Sequence, residues 1–155
     1  MNVTLDRAAT SVAAITAALF FGCLFLGWHE TTIQVGSAVI LEETVSGWSG
    51  WGFAAGACAT LLFFIAVNEL RAGEPRARNA LAFSVIRLGL LVSAVLAAVT
   101  GSADIDLAAG STRIAVETTL WPAWVGVGLA TVAAAASGAS VIAEMRLIMP
   151  SRAGS

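Results

Sequence analysis

Arg87 is the residue whose position most invites a chemical role, because it is the single formal charge inside a long apolar segment. Ionisable side chains in membrane-type segments are costly, and they usually mark a site or an ion pair. If Arg87 has a structural role, we expect it to form an ion pair with Glu69 or Glu144. The alternative is snorkelling toward water, since nine residues, about 13 Å of helix, separate Arg87 from Arg78.

The other reactive side chains lack the spacing that chemistry requires. The one histidine, His29, cannot alone form a bis-histidine haem site or a metal triad, and next to Trp28 it is expected to be an interfacial residue. Cys23 and Cys58 do not form a C-x-x-C pair, so we expect both to behave as small apolar side chains. Acidic residues of the loops show no calcium-ligand spacing and are expected to form a solvated rim. We therefore predict a protein that is not an enzyme, with no catalytic residue, metal or cofactor.

Composition identifies the elements that hold these residues as membrane helices. Of 155 residues, 58% are hydrophobic and 12% are charged, and the mean hydropathy is +0.87. Soluble domains carry about a quarter charged residues, so an ordinary soluble globule is excluded. Disorder requires the opposite composition. The net charge of -2 offers no basic face, which excludes nucleic acid as a partner.

Four windows with little or no charge match the roughly 20 residues that a helix needs to cross a bilayer. The predicted spans are residues 8–28, 48–68, 80–103 and 120–143, with outer loops at 29–47 and 104–119. The first span is longer than the 7–15-residue core of a signal peptide, which favours a retained helix. The predicted fold class is an all-α four-helix membrane bundle, in one domain over residues 1–155.

The arginines set the predicted orientation. There are eight arginines and no lysine, and only Arg113 falls in an outer loop. This asymmetry predicts that both termini are cytoplasmic. Because an all-arginine composition suggests a GC-rich prokaryotic gene, we expect the protein in a prokaryotic inner membrane.

The tryptophans all fall at the predicted outer ends of spans. They are Trp28, Trp48, Trp51, Trp121 and Trp124. Tryptophan favours this depth because its ring is apolar and its N–H seeks a polar partner. We predict an outer interaction surface at these residues, with ordinary anchoring in the interface as the alternative.

The chain also has the pattern of a tandem repeat. A W-x-x-W motif opens spans two and four, 73 residues apart, and an E-x-R motif closes both. Halves 1–73 and 74–155 would be related by an axis along the membrane normal. Shared interfacial chemistry without duplication is the alternative.

Both outer loops have strand patterns. Residues 31–35 and 38–42 flank a Gly36-Ser37 turn, and residues 104–107 and 112–117 alternate in the same way. Side by side, the two hairpins would form a four-stranded antiparallel layer on the outer end of the bundle. The alternative is a loop that only a partner orders.

Small residues recur at i, i+4 spacing in every span, which permits helices to approach closely in lipid. The packing positions predicted from these stripes are Gly52, Gly56, Gly89, Ser93, Gly126 and Gly138. We expect the phenylalanines largely to face lipid or a neighbouring subunit.

Trp28 followed by Gly47-Trp48, together with the four spans and the β-structured outer layer, resembles the claudin-like tetraspan architecture. That family carries W, then G-L-W, then two cysteines in its first outer loop; the leucine and the loop cysteines are absent here. The resemblance implies an outer β-layer used for lateral or face-to-face protein contact.

These patterns favour a non-catalytic tetraspan membrane protein that acts through protein–protein interaction. It would be an accessory or assembly subunit of a larger membrane complex, or a self-associating scaffold, with membrane lipid and other subunits or its own copies as partners. The alternative is a small oligomeric channel or transporter in which Arg87 lines an anion or lipid-headgroup pathway.

Overall fold

A computed structural model describes residues 2–35, 38–72, 80–100 and 113–148. Those residues form four helices and one small antiparallel sheet, as predicted for the fold. The elements in chain order are α1 (Asn2–Cys23), β1 (Gly27–Val35), β2 (Ala38–Ser46), α2 (Trp51–Ala72), α3 (Ala80–Val99), β3 (Arg113–Thr119) and α4 (Trp121–Ile148).

The four helices pack side by side, with the sheet at one end. Helix α1 ends shortly before β1, and carbonyls in the last turn of α3 lie within hydrogen-bond distance of side chains of β1 and β3. Helices α2 and α4 begin shortly after β2 and β3. We call this the sheet end. Helix α1 packs against α2 and α4, and α3 packs against the same two helices. Helices α2 and α4 therefore stand diagonally across the bundle.

Small side chains fill the interior of the bundle. Alanine supplies most of the buried apolar positions, and the large wholly buried side chains include Phe20, Leu62 and Leu90. Many large apolar side chains lie outside, including Phe53, Phe64 and Leu88, which are 69%, 63% and 62% exposed. Phe20 is an exception to the expectation that the phenylalanines largely face outward, since Phe21, Phe25 and Phe64 are exposed.

The sheet has the strand order β2-β1-β3, and both pairings are antiparallel. The predicted first hairpin is confirmed as β1 and β2, with strands longer than the sequence pattern indicated. The predicted strand at 112–117 is confirmed as β3, which pairs His29 of β1 with Thr119. The predicted strand at 104–107 lies outside the described residues, so the layer described here has three strands.

The first two predicted spans extend several residues beyond their helices. Helix α1 ends at Cys23, and Trp28, the predicted end of span one, lies in β1. Helix α2 begins at Trp51, because residues 47–50 form a turn in which Gly50 adopts a φ of 50°, a conformation that favours glycine.

Two of the helices are long and apolar enough to cross a membrane. They are Trp51–Ala72 and Trp121–Ala139. The apolar parts described for the other two, Arg7–Cys23 and Ser84–Val99, are shorter than 18 residues.

Candidate interaction surface and the Arg87 cleft

Trp28 is part of the interior and not of the outer surface, so the prediction of an exposed contact there is wrong. Its side chain is wholly buried, and its indole N–H donates a hydrogen bond to the carbonyl of Cys23 at 3.0 Å. The same carbonyl accepts from the N–H of Leu26 at 3.1 Å. The last carbonyls of a helix lack intrahelical donors. Trp28 therefore supplies a hydrogen-bond donor to a carbonyl at the end of α1 and fills the core at the sheet end.

Glycines on two other elements make room for the Trp28 ring. A Cβ added at Gly126 of α4, or at Gly47 in the turn before α2, would lie 2.5 Å from that ring. The ring of Phe20 meets it edge-on, with centroids 6.2 Å apart. The carbonyl of Trp28 also accepts from the N–H of Leu120 at 2.7 Å. One residue of β1 thus joins α1, α4 and the turn before α2.

Trp48 also points inward, but less deeply. It is half-buried, and its ring meets Phe21 of α1 and Phe25, which lies just beyond the end of α1, edge-on at centroid distances of 5.1 and 5.4 Å. Gly56 of α2 lies against its far edge. Trp48 is therefore a contact between α1 and α2 within the chain.

The remaining three tryptophans are exposed, and we call them the exposed tryptophan rim. Trp51 is 51% exposed, Trp121 is 70% exposed and Trp124 is 59% exposed. All three lie in the first turn of α2 or α4, at the sheet end. Since α2 and α4 are diagonal neighbours, the rim occupies two opposite corners of the bundle. The outer contact surface predicted at these residues stays a prediction.

His29 has a structural position that sequence reasoning missed. It was expected at the interface, yet its side chain is only 2% exposed, and its Nε2 lies 2.7 Å from the carbonyl oxygen of Ala97. The hydroxyl of Thr119 in β3 donates to the next carbonyl, that of Ala98, at 3.4 Å. Side chains of β1 and β3 thus complete the last turn of α3, where an imidazole N–H donor is favourable. Thr31, two residues further along β1 and therefore on the same face as His29, is also buried.

Arg87 lies in a cleft between α3 and α4. Its side chain is half-buried, and its Nη1 covers Gly138, where an added Cβ would collide with it. The cleft has a volume of about 470 Å³. Its lining residues are Ser84, Arg87, Leu88, Leu91, Thr131, Ala134 and Ala135. None of these described lining residues is acidic.

The predicted ion pair of Arg87 stays a prediction. Glu69 lies on α2, which takes no part in lining the cleft between α3 and α4. The side chain of Glu144 lies outside the described residues.

The predicted packing glycines serve more varied contacts than helix-to-helix approach. Gly89 of α3 faces the sulfur of Cys58 on α2, as a packing position should, and Ser93 of α3 is buried. Gly52 instead fits against the carbonyl of Gly47 in the preceding turn. Three others each accommodate one large side chain: Gly56 receives Trp48, Gly126 receives Trp28 and Gly138 receives Arg87. These glycines are required by side chains that cross between elements.

The two W-x-x-W motifs occupy different structural positions. Trp48 precedes α2 and packs inward, whereas Trp121, its counterpart in the repeat, begins α4 and is exposed. The proposed duplication of halves 1–73 and 74–155 stays a prediction.

Neither a metal-binding group nor a known relative suggests a chemical role for the sheet end. No cluster of three or more histidine, cysteine, aspartate or glutamate side chains that could hold a metal occurs among the described residues. The resemblance to claudin-like proteins remains an expectation from the sequence. Comparison of the chain with protein-family models, with curated proteins and with solved structures finds no match.

Proposed function

We propose that this chain is a non-catalytic integral membrane protein with four spans that acts through protein–protein contact. It serves as an accessory or assembly subunit of a larger membrane complex, or as a self-associating scaffold. Both termini are cytoplasmic in this proposal, and the sheet end faces outward from a prokaryotic inner membrane.

The distribution of side-chain sizes supports insertion in a membrane. Alanine dominates the core, while large side chains such as Leu19, Phe53 and Val85 are more than half exposed. In water, so much exposed apolar surface is unfavourable. In lipid there is no hydrophobic drive between helices, so small residues inside and large residues outside are the favoured arrangement.

The position of the exposed tryptophan rim supports the orientation. Trp51, Trp121 and Trp124 all lie at the sheet end, where an amphipathic ring fits the boundary between lipid and water. The sheet extends beyond that boundary and carries exposed Glu42 and Glu43. The proposed orientation places these charges in water.

The exposed tryptophan rim is also the single observation that carries the proposed contact function. Tryptophan is the residue type most enriched among the side chains that dominate binding energy. The edge of β2 is a weaker candidate, because exposed charges at Glu42 and Glu43 oppose pairing with another strand. We therefore assign partner contact to the rim and not to an added strand.

The test compares the wild type with Trp121→Ala/Trp124→Ala in affinity purification from native membranes with a mild detergent, followed by native mass spectrometry. We expect the wild type to retain unrelated subunits in fixed stoichiometry, or a defined homo-oligomer. Loss of two binding-dominant side chains should reduce the recovered assembly at least about tenfold. The matched control is Leu61→Ala/Phe64→Ala, which removes two exposed side chains of α2 away from the sheet end and should leave recovery unchanged.

Two results would contradict the proposal. Recovery of the wild-type chain as a monomer would remove the contact function, and equal recovery of the rim variant would remove the rim from it. A homo-oligomer that passes anions across liposomes, with flux lost in Arg87→Gln, would instead support the channel or transporter.

A further inference from the structure

The guanidinium of Arg87 lies at a different depth in the bundle from the backbone that carries it. Arg87 is about 18 Å along α3 from Val99, at the sheet end. Gly138, which the guanidinium covers, is about 25 Å along α4 from Trp121, also at the sheet end. Because the helices run in opposite directions, the side chain reaches away from the sheet end.

That depth is near the far boundary of a bilayer. The hydrocarbon layer is about 30 Å thick, so a point about 25 Å from the sheet end lies close to the opposite side of that layer. In a membrane-inserted bundle, the guanidinium would therefore lie close to the level of lipid headgroups on the side opposite the sheet. The backbone of Arg87 would remain in the hydrocarbon layer, as in other snorkelling arginines.

From Arg87 toward the sheet end the cleft is mostly apolar, and it continues toward the bilayer centre, whereas Ser84 lies on the other side of Arg87 along α3. Leu88 and Leu91 follow Arg87 along α3 toward the sheet end, and Ala135 and Ala134 face them from α4. The hydroxyl of Thr131 donates to the carbonyl of Val127 at 2.8 Å, so it is engaged within its own helix. The cleft thus has one cationic end and an apolar length, in a volume within the range of small-molecule sites.

The charge at that end calls for an anion. No acidic side chain is among the described residues that line the cleft. A guanidinium presents a planar fork of N–H donors that matches a phosphate group. Because burying a charge is costly unless the charge is paired, an anionic group on Arg87 would stabilise this arrangement.

We propose that the α3–α4 cleft binds one anionic phospholipid, with its phosphate on Arg87 and one acyl chain along Leu88 and Leu91. The lipid belongs to the leaflet opposite the sheet end. This inference rests on the membrane insertion proposed above, and it does not depend on the tryptophan rim or on any protein partner.

The experiment is native mass spectrometry of the purified full-length chain, titrated with dioleoyl-phosphatidylglycerol or with dioleoyl-phosphatidylcholine. We expect one retained phosphatidylglycerol, with a preference over phosphatidylcholine that falls about tenfold in Arg87→Gln, the effect of one charge-assisted hydrogen bond. The matched control is Arg71→Gln, which removes an exposed arginine in the last turn of α2 and should retain the preference.

A second variant keeps the test valid if Arg87→Gln does not fold. Gly138→Ala conserves every charge and adds one methyl group where Nη1 now lies. It should displace the guanidinium and reduce the phosphatidylglycerol preference, by less than Arg87→Gln does.

Equal preference in the wild type and in both cleft variants would overturn the lipid site. Competition by millimolar inorganic phosphate, in place of selectivity among lipids, would also overturn it and would identify a free-anion site. Membrane fractionation distinguishes a failure of the lipid-site proposal from a failure of the proposed membrane insertion. A chain that leaves the membrane pellet in alkaline carbonate contradicts insertion itself, whereas a retained chain without lipid selectivity contradicts only the cleft.

Discussion

The tryptophans of this chain form two groups in the structure. The sequence does not separate the groups, because all five residues are of the same type and have the same predicted depth. Trp28 and Trp48 turn inward and hold elements together, while the exposed tryptophan rim turns outward. The difference lies in what stands opposite each ring. Gly47 and Gly126 make room for Trp28, and Gly56 makes room for Trp48. The rings of the rim instead project to the surface from the first turns of α2 and α4.

The largest effect should come from Trp28→Ala. Removing a wholly buried aromatic side chain costs about 3–5 kcal/mol of unfolding free energy, and here the carbonyl of Cys23 also loses a donor. Thermal unfolding in a mild detergent, followed by circular dichroism, measures the change. A loss below about 1 kcal/mol, the typical effect of any substitution, would mean that Trp28 does not hold the sheet on the bundle.

A methyl group added at Gly126, on the other side of the contact with Trp28, should also destabilise the protein, but by less than Trp28→Ala does. Gly126→Ala forces a methyl group against the Trp28 ring, which should cost about 1–3 kcal/mol by overpacking. If the two residues act through one contact, Trp28→Leu/Gly126→Ala will be more stable than the sum of its single changes indicates. Strict additivity in that double-mutant cycle would contradict the contact. Gly128→Ala is the control, because an added Cβ there meets nothing within 4 Å.

His29→Ala should rank next. The change leaves the carbonyl of Ala97 without its imidazole donor in a buried position, at a cost of about 1–3 kcal/mol. His29→Gln retains an N–H donor and should recover part of the loss. Unfolding midpoints in detergent compare the two variants. If glutamine and alanine destabilise equally, the hydrogen bond to α3 is not what stabilises this residue.

The smallest effect on stability should come from the rim. Trp121→Ala/Trp124→Ala removes exposed rings, so the unfolding free energy in detergent should change by no more than about 0.5 kcal/mol per residue. The same protein should lose its assembly in the purification described above. A large loss of stability would place these rings in the fold, and the contrast between the two groups of tryptophans would disappear.

Local patterns in the sequence predicted much of this fold. Uncharged windows located four helices, and alternation on either side of Gly36-Ser37 located the hairpin. The end of α1 was missed, since the apolar run continues past Cys23 into β1. What ends the helix is a set of distant partners. The ring of Trp28 packs against Gly126, and the imidazole of His29 donates to the carbonyl of Ala97, which is 68 residues away in the sequence.

The candidate sites were predicted unevenly for the same reason. Arg87 stands out because a charge in an apolar run is visible in any window. The contact between the Arg87 guanidinium and Gly138 depends on how α3 packs against α4. The spacing of residues within either helix does not specify that packing. The stripes of small residues located several close approaches, while the side chain that fills each one depends on the tertiary arrangement.

The strand order has a consequence for synthesis. β1 is the central strand, and one of its two neighbours, β3, is synthesised much later. His29 of β1 pairs with Thr119 of β3, about ninety residues further along the chain. While the ribosome completes α2 and α3, the nascent chain carries a hairpin in which the edge of β1 that later pairs with β3 is still open. Open edges are where strands of different chains join wrongly. The interval before β3 emerges is therefore the period when a growing chain is most exposed to misassembly, and a chaperone or a partner at the sheet end would protect it most at that stage.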